Sequence, residues 1–118
     1  TDQLYRGLIK MTRAVFYSCD SLFTGFTVSG HTDSEGSLEA RLVCAAVSSA
    51  VYLTANAITD IIRAKAAVSE SDGRLTVRLS APDGRTQDAV AALKLHLEGL
   101  REQYGNYIAI NTEVQHDA

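Results

Sequence analysis

Alternation of apolar and polar side chains predicts five β-strands in this chain. The first covers residues 12–18, where Ala14 and Phe16 alternate with Val15 and Tyr17. A period of two is the pattern of a strand that buries one face. The same pattern, bounded by turn residues, predicts the other strands at 22–29, 66–70, 74–80 and 107–114, with turns at Asp20-Ser21 and Ser71-Asp72-Gly73. Two hairpins and one single strand are therefore expected.

Two longer segments have the spacing of α-helices. The segment of about 40–64 is apolar on more than one side, and the segment of about 86–104 carries one apolar stripe. The stripe consists of Ala89, Leu93, Leu97, Leu100 and Tyr104. The element order is therefore ββαββαβ. This order predicts an α+β domain of two layers, in which a mixed or antiparallel sheet carries both helices on one face.

The first helix is more apolar than one sheet face can cover. Residues 42–59 contain no charge, so a membrane span has to be considered. Ser48 and Asn56 make the segment too polar for a span, and Asp60 and Arg63 follow it. We therefore expect one side of this helix to pack on the sheet. The other side would pack on a partner chain, in a homodimer formed through the helices.

Composition indicates a single folded domain. The 118 residues are 46% hydrophobic and 21% charged, and a net charge of −3 argues against direct binding of nucleic acid. Residues 1–10 are unlike the rest, so we expect an extension outside the core of one domain at 11–118. Cys19 and Cys44 form no disulfide framework. We expect free thiols in a reducing cytoplasm, and no membrane as a partner.

The pair Gly30-His31 lies on a polar loop upstream of Cys44, which the pattern places at the start of the first helix. At a helix N-terminus, backbone N–H groups and the helix dipole favour a thiolate, and such N–H groups also stabilise an oxyanion. A histidine on the adjoining loop can act as base and then as acid. The sequence thus contains the minimum set for cysteine-based acyl transfer. An inert buried Cys44 and a solvated His31 are the plain alternative.

The run Val43-Cys44-Ala45-Ala46-Val47-Ser48, together with Gly30-His31 and the closing segment 104–114, resembles the ribosomal-processing cysteine protease (Prp) family. The resemblance covers residues 11 to about 114. It implies that Cys44 is the nucleophile and His31 its base, with Gly30 and Ser48 in support. It also implies a homodimer that removes a short N-terminal extension from a large-subunit ribosomal protein. The histidines and cysteines lack metal-site spacing, and no cofactor is expected.

Arg41 stands where the family commonly has an acidic residue, three positions before the cysteine. One explanation is that another carboxylate orients His31; the candidates are Asp33, Glu35 and Glu39. The other is that the Arg41 cation itself favours the Cys44 thiolate. The same substitution favours an alternative function, a catalytically silent dimeric module for ribosome assembly or binding. For Ser48, the plain role is a hydroxyl that bonds back to the carbonyl of Cys44.

Overall fold

The computed structural model describes residues 12–30 and 37–116. The predicted order ββαββαβ is confirmed. The elements are β1 (Thr12–Cys19), β2 (Leu22–Ser29), α1 (Leu38–Asn56) with a π-helical continuation (Ala57–Ile61), β3 (Ala66–Ser71), β4 (Arg74–Leu79), α2 (Gly84–Gln103) and β5 (Ile108–Val114). The strand boundaries agree with the sequence pattern to within one residue. Both helices begin two residues earlier than expected, and the first ends at Ile61 rather than at about Ala64.

The five strands form one mixed sheet in the order β3-β4-β2-β1-β5. Strands β1 and β5 are parallel, and every other neighbouring pair is antiparallel. In the tight turn between β1 and β2, Asp20 and Ser21 have φ angles of 53° and 67°. Two consecutive positive φ angles are what a two-residue hairpin requires, and aspartate tolerates them better than most residues do.

The core lies between one face of the sheet and both helices, as predicted. Phe16, Phe26 and Val77 lie side by side across β1, β2 and β4, and each is at most 1% exposed. Val47 of α1 and Leu97 of α2 are equally buried above them. The opposite face of the sheet is not covered by any described element. The candidate residues on α1, Cys44 and Ser48, are therefore held by a helix whose inner side is fixed in this core.

Helix α1 begins at Leu38 because Ser37 caps it. The Ser37 hydroxyl accepts a hydrogen bond from the backbone N–H of Ala40 at 3.1 Å, and its carbonyl accepts the N–H of Arg41 at 3.0 Å. A serine at this position supplies an acceptor to N–H groups that the first turn leaves unpaired. This local cap, rather than the apolar pattern, sets the start of the helix.

The outer side of α1 is apolar and exposed, as the surplus of apolar positions predicted. Leu42, Leu53 and Ile61 are 61%, 72% and 71% exposed. By length and composition, the stretch Leu38–Ile61 is the one described segment that meets the criteria for a membrane span, with a mean hydropathy of 1.6. Its inner side nevertheless forms part of the core on the sheet. Among the described residues, none covers Leu42, Leu53 or Ile61 on this second apolar side.

Candidate active site

Cys44 is a free, half-buried thiol on α1. The expectation that it opens the helix is wrong, because the helix begins at Leu38 and Cys44 is its seventh residue. The helix dipole acts mainly within the first turn, so it gives this sulfur little support. The backbone N–H of Cys44 lies within the α-helical ladder, so it is not available as an oxyanion donor either. Activation of Cys44 therefore depends on neighbouring side chains.

Ser48 lies one helical turn beyond Cys44 on the same side of α1. Threonines 54 and 59 bond back to carbonyls four residues earlier, at 2.9 Å and 3.1 Å. Ser48 does not: within the described part of the chain, its hydroxyl makes no hydrogen bond. The expected bond to the Cys44 carbonyl is thus absent. The Ser48 hydroxyl is exposed and can bind a substrate group.

A cleft of about 130 Å³ brings Ser48 together with Gly30, between α1 and one end of the sheet. Gly30 directly follows β2 and has a φ of 91°, a conformation that residues with a side chain rarely adopt. His31 is the next residue in the sequence. His31 itself lies outside the described residues, as do Asp33 and Glu35. The structure brings together Gly30 and Ser48, with Cys44 one turn away.

Arg41 and Glu39 are the remaining candidates near the nucleophile. Arg41 is three residues before Cys44 on α1, so the two side chains are neighbours on the helix surface. Among the residues that the structure describes, Arg41 forms no ion pair. Glu39 accepts a hydrogen bond from the Tyr107 hydroxyl, at a long distance of 3.5 Å. The carboxylate of Glu39 is therefore directed toward the start of β5, and Arg41 is the charge next to Cys44.

The sequence did not indicate that Tyr52 and Glu70 belong to the same cleft. Both line it, and the Tyr52 hydroxyl donates a hydrogen bond to the Glu70 carboxylate. This bond, with burial and the negative charge of Glu70, raises the pKa of Tyr52 above its usual value. Tyr52 therefore stays protonated as a donor. In the sequence, Tyr52 could have been placed on the same side of the helix as the other candidates, because it lies four residues beyond Ser48 and eight beyond Cys44.

Other candidates in the described ranges do not form a site with Cys44. A larger cavity of about 870 Å³ lies on the uncovered sheet face, and Cys19 and His116 are among its lining residues. Neither Gly30 nor Ser48 lines this cavity, so the smaller cleft is the candidate site. Among the described residues, no group of three or more His, Cys, Asp or Glu side chains is arranged to hold a metal ion.

Comparison with known protein families identifies the family of this chain. The family described as cysteine protease Prp matches residues 11–109, which is most of the chain. This chain belongs to the Prp family of ribosomal-processing cysteine proteases. As a Prp family member it is a cysteine protease, and the match spans Gly30, Cys44 and Ser48. Among curated proteins, none matches the sequence.

Solved structures, two of them of Prp, share this fold. The crystal structure of Prp from S. aureus in complex with a substrate peptide superposes with a TM-score of 0.79 at 20% identity, covering 87% of this chain and 100% of that one. A second S. aureus structure, with a covalently linked product peptide, gives 0.76 at 21% identity, with 87% and 100% covered. SMU.848 from Streptococcus mutans gives 0.78 at 22% identity, covering 89% and 99%. At these identities, the likeness establishes the fold.

Proposed function

We propose that this Prp protein removes a short N-terminal extension from a large-subunit ribosomal protein, with Cys44 as nucleophile and His31 as base. One observation carries the proposal: Cys44 and Ser48 occupy successive turns of α1 beside the cleft that is also lined by Gly30, the residue before His31 in the sequence. The covalently linked product peptide of the S. aureus Prp structure supports a mechanism through an acyl-enzyme.

The reaction divides into acylation and hydrolysis. The Cys44 thiolate attacks the scissile carbonyl carbon, and the new C–S bond places a negative charge on the carbonyl oxygen. As this intermediate collapses, the C–N bond breaks and His31 donates its proton to the leaving amine. Water then attacks the thioester and gives one proton to His31. The C–S bond breaks, which releases the acid and restores the thiolate.

Two neighbours of Cys44 on α1 fit this chemistry. The Arg41 cation lies one turn before the sulfur, on the same surface of the helix. The unpaired hydroxyl of Ser48 lies one turn after it and is a donor for the peptide or for the oxyanion. These two side chains would thus stabilise the negative charge of the reaction, which the helix N-terminus is too far away to do.

The exposed apolar side of the helices supports a homodimer as the working form. A groove of about 430 Å³ runs between α1 and α2, and Leu53 lines it. Leu95 of α2 is also exposed to 71%. A second copy of the same chain would cover this surface by an isologous contact. Both thiols are free, in keeping with a reducing cytoplasm as the compartment.

The test is cleavage of a peptide that spans the N-terminal extension of the organism's own ribosomal protein. We expect Cys44→Ala and His31→Ala each to lose nearly all activity, about 10³-fold or more, because the two side chains act as a unit. The double variant should lose little more. Cys19→Ala is the matched control and should retain wild-type cleavage. Undiminished cleavage by Cys44→Ala would refute the proposed nucleophile.

Alkylation of the two cysteines separates the protease from a catalytically silent module of the same fold. Both thiols are half-buried, so exposure alone does not favour either one. With a catalytic pair, iodoacetamide should modify Cys44 faster than Cys19, and His31→Ala should remove the difference. Equal rates in both proteins would instead favour a silent binding module.

A further inference from the structure

Glu70 places a carboxylate without a cationic partner in the cleft beside the proposed nucleophile. It lies near the end of β3 and accepts the Tyr52 hydroxyl. Among the described residues, no lysine, arginine or histidine forms an ion pair with it. An ionised carboxylate has two oxygens and about four acceptor sites, so one tyrosine leaves most of its capacity unused.

Among the described residues that line this cleft, Glu70 and Arg74 are charged, and strand geometry directs the Glu70 side chain toward the cleft. Glu70 is paired with Leu75 across the β3–β4 hairpin, and Leu75 belongs to the core face. Arg74 precedes Leu75, so the alternation of side chains along β4 directs Arg74 to the opposite, uncovered face. A ligand in the cleft therefore meets a negative charge at this end.

The distance from Cys44 to this carboxylate follows from the helix. Cys44, Ser48 and Tyr52 are spaced by four residues and form one ridge along α1. Eight residues of α-helix rise about 12 Å. An extended peptide advances about 3.3 Å per residue, so about three or four residues span the same length. If the scissile bond of a peptide lies at Cys44 and the peptide follows the ridge, the side chain three or four residues from that bond reaches Glu70.

We propose that Glu70, held by Tyr52, selects a lysine or arginine side chain of the substrate, about three or four residues from the scissile bond. This inference rests on the proposed function, since it takes Cys44 as the reacting group. Tyr52 is a positioning residue: its hydroxyl fixes one carboxylate oxygen and leaves the other for the cationic side chain. The ridge Cys44–Ser48–Tyr52 is then the floor on which the peptide lies.

The experiment is a lysine scan of the cleavable peptide, with norleucine as the uncharged match at each position. In the wild type, lysine should exceed norleucine in kcat/KM about threefold to tenfold at the third or fourth position on one side of the bond. Glu70→Gln should abolish this preference through KM, with kcat nearly unchanged, because the contact is made equally in the ground and transition states. Glu70→Asp should restore part of it.

Controls separate this inference from the proposed function. Glu113→Gln removes an exposed carboxylate of β5 on the other sheet face and should keep the lysine preference. Peptide affinity is also measured in Cys44→Ala, which reports binding without cleavage. If Glu70→Gln leaves the preference intact in both assays, the specificity role is wrong and the protease function stands. If Cys44→Ala still cleaves while the preference depends on Glu70, the nucleophile is wrong and the cation site stands.

Discussion

Gly25 allows β2 to lie directly against the backbone of β4. A side chain at this position would place its Cβ in a steric clash with the Val77 carbonyl oxygen and 3.2 Å from the Cα of Arg78. Backbone atoms of a central strand cannot move aside without breaking the sheet ladder. We expect Gly25→Ala to lower the free energy of unfolding by about 2–3 kcal/mol, measured by urea denaturation.

Gly99 is the matched control for this prediction. It lies in the interior of α2, and an added Cβ would meet nothing within 4 Å. Alanine loses less backbone entropy than glycine on folding, so Gly99→Ala should raise stability by about 0.5–1 kcal/mol. Equal effects of the two substitutions would show that β2 and β4 can separate locally, contrary to the packing described.

The sequence indicated those site residues that belong to one local motif. Gly30, Cys44 and Ser48 are recognisable because a short run of residues carries them. Tyr52 and Glu70 were missed because they are 18 residues apart and meet only when β3 packs beside α1. No periodicity of the chain encodes that contact, so it needs the three-dimensional arrangement.

At the scale of elements, side-chain caps decide where both helices begin. The apolar pattern placed the second helix at about Thr86, whereas α2 starts at Gly84, directly after Asp83. The Asp83 carboxylate accepts the Thr86 N–H at 2.9 Å, and the Thr86 hydroxyl accepts the Asp83 N–H at 2.9 Å. A capping box of this kind extends the helix by polar residues, which the spacing of apolar residues cannot reveal.

The Asp83 cap should make stability depend on pH. The hydrogen bond from the Thr86 backbone is the main cause that lowers the pKa of Asp83 in the folded protein. The folded pKa lies below the unfolded one, so this contribution is present above the ordinary aspartate pKa of about 3.9. It is lost as the pH falls through the folded value. The wild type should therefore lose more stability on acidification than Asp83→Asn.

Urea midpoints of the two proteins at about pH 7 and about pH 3 give the measurement. Asparagine keeps the acceptor oxygen and removes the titrating group, so it isolates the charge from the cap. Asp83→Ala removes both and should be the least stable at neutral pH. A difference between wild type and Asp83→Asn that stays constant with pH would contradict the argument.

At the scale of the whole molecule, the order of elements was predictable and the order of strands was not. Hairpin turns reveal that β1 pairs with β2 and β3 with β4. The contact of β2 with β4 and the parallel contact of β1 with β5 join distant segments. These two strand contacts depend on how both helices pack on one face of the sheet, which the local sequence pattern does not encode.

The oligomeric state is a prediction at this scale. Leu53 is 72% exposed, so a charge at this position costs little in the isolated chain. If the helices form the contact between two copies, Leu53→Glu should convert a dimer into a monomer in sedimentation velocity at micromolar concentration.

Val114→Glu provides the matched substitution, since Val114 is 63% exposed on β5, away from the groove between the helices. It should sediment as the wild type does. A wild-type monomer, or a dimer that persists in Leu53→Glu, would contradict an interface through the helices.

The parallel pairing of β5 with β1 has a consequence for synthesis on the ribosome. Strand β1 is among the first described segments to leave the exit tunnel, but its outer neighbour is made about ninety residues later. Until then, the hydrogen-bonding edge of β1 stays open, and Ile108 is missing from the core. The nascent chain therefore completes its sheet and closes its core only after β5 has emerged.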